Sequence, residues 1–185
     1  QASWELDLFG RIRRESEAAF AEYIATEEGQ RAVLVSLVGD VASTYLLMRQ
    51  LDMQLEIARQ TSVTNEETVQ FYRKRLDGGL SNRLEVDTAG ANLARTSALI
   101  PELESQIAVA ENALSLLLGQ PPGPIKRGAA LMSMYLPTTV PVGLPAALLE
   151  RRPDVMAAEQ QLVAANARVG AAKALFFPRI SLTGL

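Results

Sequence analysis

The 185-residue sequence contains no cysteine and no histidine. Disulfides, Ser-His-Asp or Cys-His catalytic systems, and metal sites with histidine or cysteine ligands are therefore excluded within these residues, and only carboxylate chemistry or oxygen-liganded ions remain open. The adjacent carboxylates Glu27–Glu28 and Glu66–Glu67 are interpreted as solvated helix faces, because neighbouring residues on a helix do not face each other. The segment Glu150–Asp154 is interpreted as a helix start with proline in its first turn. We predict that the protein is not an enzyme and has no cofactor or metal site.

Aromatic residues are scarce, at 5% of the chain, and the net charge is only −3. The apolar residues are mainly alanine, leucine and valine, which favours long, closely packed helices over a thick globular core. Because charges of both signs are interspersed, no basic stripe predicts a nucleic-acid partner. No apolar run reaches the roughly 18 residues typical of a membrane-spanning helix, since the best candidate is the short stretch AVLVSLV at 32–38.

Proline is absent before Pro101, and seven of the nine prolines lie from Pro121 to Pro153. A helix interior tolerates proline poorly, because proline removes a hydrogen bond and clashes with the preceding turn. The distribution predicts a long helical section, an irregular segment over 120–152 with one helical turn at 145–150, and a shorter helix over 153–177. Pro101 lies inside the second long helix, where a kink or a local break is expected.

Two heptad-spaced stripes predict a long antiparallel helical hairpin. The first helix is expected over about 11–77, a length of about 100 Å, and the second over about 82–118, with Gly119 as its C-terminal cap. The stripe of the first helix is Leu37, Val41, Thr44, Met48, Leu51, Leu55, Ala58, Ser62, Asn65, Val69, Tyr72 and Leu76. The stripe of the second is Val86, Ala89, Leu93, Thr96, Ile100, Leu103, Ile107, Ala110, Leu114 and Leu117.

The third helix and the two ends of the chain have patterns of their own. The packed face predicted for the helix is Val155, Ala158, Leu162, Ala165, Val169, Ala172 and Phe176. Alternating apolar residues in SWELDLF at 3–9 and RISLTGL at 179–185 predict strands, which suit either half-buried strands or the wall of a membrane β-barrel. Two short strands cannot close a barrel, and the chain begins inside a predicted strand, so we interpret the sequence as a fragment.

Four segments resemble the outer membrane factor family, the exit ducts of bacterial tripartite efflux and secretion systems. They are SWELDLFGRIRR (3–14), GGLSNRLEVDTAGANLAR (78–95), NALSLLLGQPPG (112–123) and GLPAALLERRPDVMAAEQQLVAANARVGAAKALFFPRISLTG (143–184). Together they touch nearly the whole chain in the order that the family has, and the last segment is the most specific of them.

The resemblance implies a mainly α fold that belongs to a larger trimer. It implies the end of a β-barrel strand at 1–9, a periplasmic helical hairpin at 10–119 and an equatorial strap at 120–152. The first helix of a second repeat would follow at 153–177 and the start of another barrel strand at 178–185. The whole protein would lie in the outer membrane of a Gram-negative bacterium and contact its lipid. A periplasmic adaptor and an inner-membrane pump would pass drugs, metals or other small molecules to its duct. By this resemblance, we expect the given residues to leave out the second hairpin, most of the barrel strands and any lipidated N-terminus of a full member.

The resemblance also implies roles for individual residues. The hairpin tip Gly78, Gly79, Leu80 and Ser81 would contact the adaptor, although glycine stands at Gly78 where the family often has valine. From composition alone this segment is an ordinary turn, but an exposed leucine at a tip has no core to join. A periplasmic gate would include Glu85, in place of a more usual aspartate, with Asp87, Arg83, Arg75 and Arg73. Solvated helix charges are the alternative for that group. Trp4 and Phe9 would mark the membrane interface, with ordinary strand packing as the alternative.

A structural or tethering coiled coil without a transport role is the alternative function. It accounts for the heptad stripes, but it does not account for the alternating strands at both ends or for the proline-rich strap. Those two features favour the duct component.

Overall fold

The computed structural model describes residues 2–134 and 148–184, and within them the fold is mainly α, as predicted. The elements are β1 (Ala2–Leu6), α1 (Arg11–Asp77), α2 (Arg83–Leu117), a short 3-10 helix (Leu131–Ser133), α3 (Pro153–Ala174) and β2 (Ile180–Gly184). The chain forms two compact units. Leu37–Thr138 is called the hairpin unit, and Gln1–Ser36 with Thr139–Leu185 is called the terminal unit.

The hairpin unit is built on the antiparallel packing of α1 and α2. Every residue of the two predicted stripes is buried or half-buried, so both seams are confirmed. At the centre of the contact, Met48 is 0% and Leu114 1% exposed, and both belong to an apolar cluster that α1 and α2 share. Two polar members of the seams pair across it, since the Asn65 side-chain amide donates to the Thr96 hydroxyl at 2.9 Å. A polar pair of this kind in a helical seam favours one register.

Helix α2 continues through Pro101 from Arg83 to Leu117, so of the kink or local break expected there, the break is wrong. A proline in a helix interior costs about 3 kcal/mol. Contacts with α1 on both sides of the proline offset this cost, through the Asn65–Thr96 hydrogen bond and through Leu103 against the apolar cluster. The helix ends as predicted, because Gly119 has φ +65° and the Gln120 amide donates to the Ser115 carbonyl at 2.9 Å.

The described part of the strap that directly follows α2, residues 120–134, is irregular apart from the 3-10 helix Leu131–Ser133. Of the helical turn predicted over 145–150, Leu148 and Leu149 are helical, and residues 145–147 lie outside the described residues.

The terminal unit packs the start of α1 against α3 through alanines. Ala18 and Ala21 of α1 contact Ala164 and Ala167 of α3 in one buried cluster. The face predicted for α3 is wrong, since Val155 is half-buried and the other six residues are exposed, with Phe176 at 89%. Small side chains let two helix backbones approach closely, whereas leucine, valine and phenylalanine would hold them apart. The helices therefore meet along the alanine face, and the bulky residues lie outside.

Glu28 is a second correction in the terminal unit, because only 6% of it is exposed although it was expected on a solvated face. Its carboxylate is paired with Arg31 at 2.6 Å, which offsets part of the cost of burying its charge. Glu27, Glu66 and Glu67 are exposed as expected.

The two predicted strands form an antiparallel pair, with Trp4 opposite Leu182 and Leu6 opposite Ile180.

The short turn between β1 and α1 is held by a capping side chain. The Asp7 carboxylate accepts the backbone N–H groups of Arg13 at 2.9 Å and Ile12 at 3.1 Å, and the Arg13 amide above all lowers the pKa of Asp7. Asp7 therefore caps the first turn of α1.

Helix α1 passes a test of length and mean hydropathy for a membrane span, although no uninterrupted apolar run in the sequence reaches 18 residues. An 18-residue window of α1 reaches a mean hydropathy of 1.4 and is only 6% buried. Exposed apolar residues of this helix include Val33, Leu34, Val35 and Val38. Length and hydropathy alone do not assign a membrane span, because a helix with apolar residues on several faces meets the same test.

Candidate functional site

The tip that joins α1 to α2 is a hydrogen-bonded helix-ending turn. Gly79 has φ +70°, its amide donates to the Leu76 carbonyl at 2.9 Å, and the Leu80 amide donates to the Arg75 carbonyl at 2.8 Å. This pair of bonds is a Schellman motif, which requires a residue that tolerates the left-handed conformation. Gly78 does not have a positive φ and so has no such requirement, and a Cβ added to it would make an ordinary contact of 3.6 Å with the Lys74 carbonyl oxygen.

Leu80 points away from the hairpin and is 72% exposed. The Arg75 guanidinium donates to the Leu80 carbonyl at 3.0 Å, so the backbone under the exposed side chain is held in place. In a Schellman motif the residue after the glycine frequently packs on the last helical turn, but this leucine stays largely in solvent. The tip therefore presents an apolar side chain from a fixed backbone.

Leu84 and Phe71 are exposed apolar residues near the tip that the sequence reasoning did not single out. Both lie outside the heptad stripes. A large apolar residue at a helix position outside the stripe is the sequence signal that would have identified them. Leu84 also lines an open groove between α1 and α2, together with Thr68, Tyr72, Glu85, Thr88, Ala89 and Asn92.

Glu85 is engaged within the tip itself. The Ser81 hydroxyl donates to its carboxylate, and its backbone N–H donates to the side-chain oxygen of Asn82 at 3.0 Å. Asn82 is thus the N-cap of α2, and Glu85 lies in the first turn, where the helix dipole favours a negative charge. Its contacts within the chain are those of a capping residue.

The other charged residues expected at a gate do not form one cluster with Glu85. Arg83 and Asp87 form a long ion pair of 3.9 Å in which both side chains are largely exposed. The Arg75 guanidinium lies 5.7 Å from the centre of the Phe71 ring. Arg73 is exposed, and within 2–134 and 148–184 it takes part in no ion pair or side-chain hydrogen bond. Exposed pairs of this kind contribute about 0–1 kcal/mol each.

The two aromatic residues expected at a membrane interface lie on and beside the strand pair. Trp4 lies in β1 and is exposed. Phe9 follows the strand, and its ring stacks on that of Phe177 with centroids 4.5 Å apart. The stacking connects the β1–α1 junction to the segment between α3 and β2, which is a packing role.

The fold and the tip define a long-helix hairpin protein with an exposed leucine at its tip, a strap and a short strand pair. A family model described as "Outer membrane efflux protein" matches residues 1–120 and 144–185. Among curated relatives, the solvent efflux pump outer membrane protein SrpC of Pseudomonas putida is 44% identical over 182 residues. The cation efflux system protein CusC of Escherichia coli K12 is 42% identical over 186 residues. Each match covers 98% of the chain.

Solved structures agree with these matches. The outer-membrane channel OprN superposes with a TM-score of 0.83 at 37% identity, over 97% of the chain and 40% of that structure. A CusC structure superposes with a TM-score of 0.81 at 41% identity, over 97% of the chain and 42% of that structure. The chain belongs to the outer membrane efflux protein family. It spans 38% of the length of SrpC and 40% of that of CusC.

Proposed function

We propose that the chain is part of an outer membrane channel of a tripartite efflux or secretion system. In this proposal α1 and α2 form the periplasmic hairpin of the duct wall, the segment after α2 is the equatorial strap, and α3 begins a second repeat. The names of the relatives, which include a solvent efflux pump protein and a cation efflux system protein, support an export role. Drugs, metals or other small molecules are the proposed cargo, and transport through the duct is passive.

Unpartnered apolar faces support a place in a larger trimeric assembly. In α3 the exposed side chains of Leu162, Val169 and the following Phe176 lie on the face that the alanine contact leaves free. Exposed apolar surface of this kind marks a protein or membrane contact. We propose that neighbouring helices of the same trimer cover this face. We also propose that Trp4 and Leu182 belong to a barrel wall in contact with lipid, with Trp4 and Phe9 at the membrane interface.

The exposed Leu80 on its fixed backbone is the observation that carries the partner assignment. Exposing a leucine at this tip has no benefit for the isolated chain, whereas burying it against another protein contributes about 1.5–3 kcal/mol. We propose that Gly78, Gly79, Leu80 and Ser81 contact a periplasmic adaptor, which links the duct to an inner-membrane pump.

Single cysteines test this contact, because the 185 residues contain none. Cysteine is placed at Leu80 or Ser81 of the full-length protein, with any cysteine elsewhere in the protein replaced, and a short thiol crosslinker is added to cells that contain the adaptor. A crosslink to the adaptor is expected from the tip positions. The matched control is cysteine at Leu116, a more exposed leucine at the other end of α2. Absence of adaptor crosslinks at both tip positions, or equal crosslinking at Leu116, contradicts the assignment.

We also propose that the charges above the tip restrict the closed duct, as a ring repeated in each protomer. Glu85 already accepts a hydrogen bond from Ser81. A gate that includes Glu85, Asp87, Arg83, Arg75 and Arg73 would therefore need further charged residues from the rest of the protein. Replacing Glu85 and Asp87 together with alanine is expected to raise the conductance of the full protein in planar bilayers. The exposed pair Glu66 and Glu67, replaced in the same way, is the control. Equal conductance of the Glu85/Asp87 variant and the unmodified protein contradicts the gate.

A further inference from the structure

Arg127 of the strap bridges the two helices of the hairpin unit. Its guanidinium donates to the Asp52 carboxylate of α1 through Nε and Nη2, both at 3.2 Å, and to the Glu111 carboxylate of α2 through Nη1. The three side chains are 29%, 22% and 19% exposed, so the contacts are shielded more than those of a surface pair. One strap residue therefore holds a carboxylate from each helix.

Two backbone N–H groups on either side of Arg127 also reach the helices. The Ile125 amide donates to the Glu111 carboxylate at 3.3 Å, and the Gly128 amide donates to the Tyr45 hydroxyl at 2.9 Å. A Cβ on Gly128 would lie 3.2 Å from that hydroxyl, which is closer than most real contacts. The absence of a side chain at Gly128 thus allows the strap to approach α1 closely.

Arg49 completes the contact from the α1 side. It pairs with Asp52 at 2.8 Å and donates through Nη2 to the Ala129 carbonyl at 3.1 Å. Tyr45, Arg49 and Asp52 are spaced by four and then three residues, which places them on one face of α1. The strap residues Ile125–Ala129 therefore lie on a polar face of α1, beside the apolar seam.

The charges of this cluster balance only while Arg127 is present. The hydrogen bond with Asp52 raises the pKa of Arg127 further above its ordinary value, so the guanidinium remains charged. Two arginines face two carboxylates. Among the residues that the structure describes, the Glu111 carboxylate without Arg127 keeps only the Ile125 amide as a partner. A half-buried carboxylate that loses its counter-charge destabilises the folded state. Water that entered under the strap would solvate the carboxylate and reduce this cost.

We propose that Arg127 is a positioning residue that locks the strap segment Ile125–Ala129 across α1 and α2, and that the balance of charge in this cluster determines whether the segment stays attached. Ile125 adds apolar contact with the core cluster but does not span both carboxylates. The lock fixes the spacing of the two helices at this level of the hairpin. It follows from the contacts of the strap and does not depend on the transport role.

Hydrogen exchange of the full-length protein, measured by mass spectrometry on peptides that contain Ile125 and Gly128, tests the lock. Arg127→Met keeps much of the side-chain bulk and removes the charge. Exchange in these peptides is expected to accelerate by at least about tenfold, because hydrogen bonds to charged groups are lost. The matched control is Arg59→Met, which breaks the exposed 2.7 Å pair between Arg59 of α1 and Glu104 of α2. The control is expected to leave the strap peptides unchanged.

Removing the orphaned carboxylate distinguishes charge balance from loss of shape. In the double variant Arg127→Met with Glu111→Gln, the strap peptides are expected to exchange more slowly than in Arg127→Met alone. Arg127→Lys keeps the charge without the planar fork and is expected to lie between Arg127→Met and the unmodified protein. Unchanged exchange in Arg127→Met, an equal effect of Arg59→Met, or no slowing in the double variant would each overturn the proposal.

Discussion

Leucine at Ala164 is expected to destabilise the terminal unit, whereas leucine at the adjacent Ala165 is expected to have little effect. Ala164 is 1% exposed and contacts Ala18, Ala21 and Ala167, while Ala165 is exposed. Alanine and leucine are both good helix formers, so a difference between the two variants reports packing and not helix propensity.

The expected magnitude follows from the lack of space at the alanine contact. Inserting a larger side chain into a well-packed core costs about 1–3 kcal/mol, and an exposed substitution stays within about 0.5 kcal/mol. For a chain of this size, each kcal/mol lowers the melting temperature by about 2–4 °C, so Ala164→Leu is expected to lower it by about 2–12 °C. Ala165→Leu is expected to change the melting temperature by at most about 2 °C.

Thermal and urea unfolding of the 185-residue chain, followed by circular dichroism, provides the measurement. Leu162→Ala is a third arm, because this leucine is exposed and its truncation is expected to cost no more than about 0.5 kcal/mol. If Leu162 were a core residue, its truncation would cost about 2–5 kcal/mol. Equal losses at Ala164 and Ala165, or a core-sized loss at Leu162, would refute the assignment of the packed face.

Two further predictions concern the ends of helix α1. Gly79→Ala is expected to lower the free energy of unfolding in urea by about 1–2 kcal/mol, because alanine is strained at φ +70°. Gly78→Ala is the near-neutral control, because Gly78 has room for a Cβ. Equal losses of stability in the two variants would contradict this account of the tip. The Arg13 amide holds the pKa of Asp7 below its ordinary value of 3.8. The stabilisation by this cap is therefore present above pH 3.8 and is lost as the pH falls through the lower folded-state pKa. An NMR titration of the Asp7 carboxyl group with its midpoint at or above pH 3.8 would contradict the cap.

Most of the hairpin unit could be predicted because its contacts repeat along the sequence. Heptad spacing identifies which residues of α1 and α2 face each other, and all of them are buried or half-buried. The Schellman motifs at Gly79 and Gly119 are local as well, since each depends on a left-handed glycine directly after a helix. The period of the pattern and the turn residues are properties of the chain itself.

Part of the candidate site was also predictable, but its chemistry was not. Leu80 was identified as an exposed apolar residue from its place in a turn, and it is exposed. The bond from Ser81 to Glu85 was not predicted, because it depends on side-chain directions at the start of α2. Leu84 and Phe71 were not predicted, because the heptad pattern identifies the residues of the seams and does not indicate a role for apolar residues outside them.

The sequence by itself determined the element types, the residues of the two hairpin seams and the position of the tip, because these depend on periodicity and on local backbone preferences. Only the tertiary structure decided which face of α3 is packed, how α2 continues through Pro101 and which charges Arg127 joins. Hydrophobicity favours the bulky face of α3, but the closeness of two backbones selects the alanine face. Asp52, Glu111 and Arg127 are far apart along the chain, and only the folded hairpin brings them into contact.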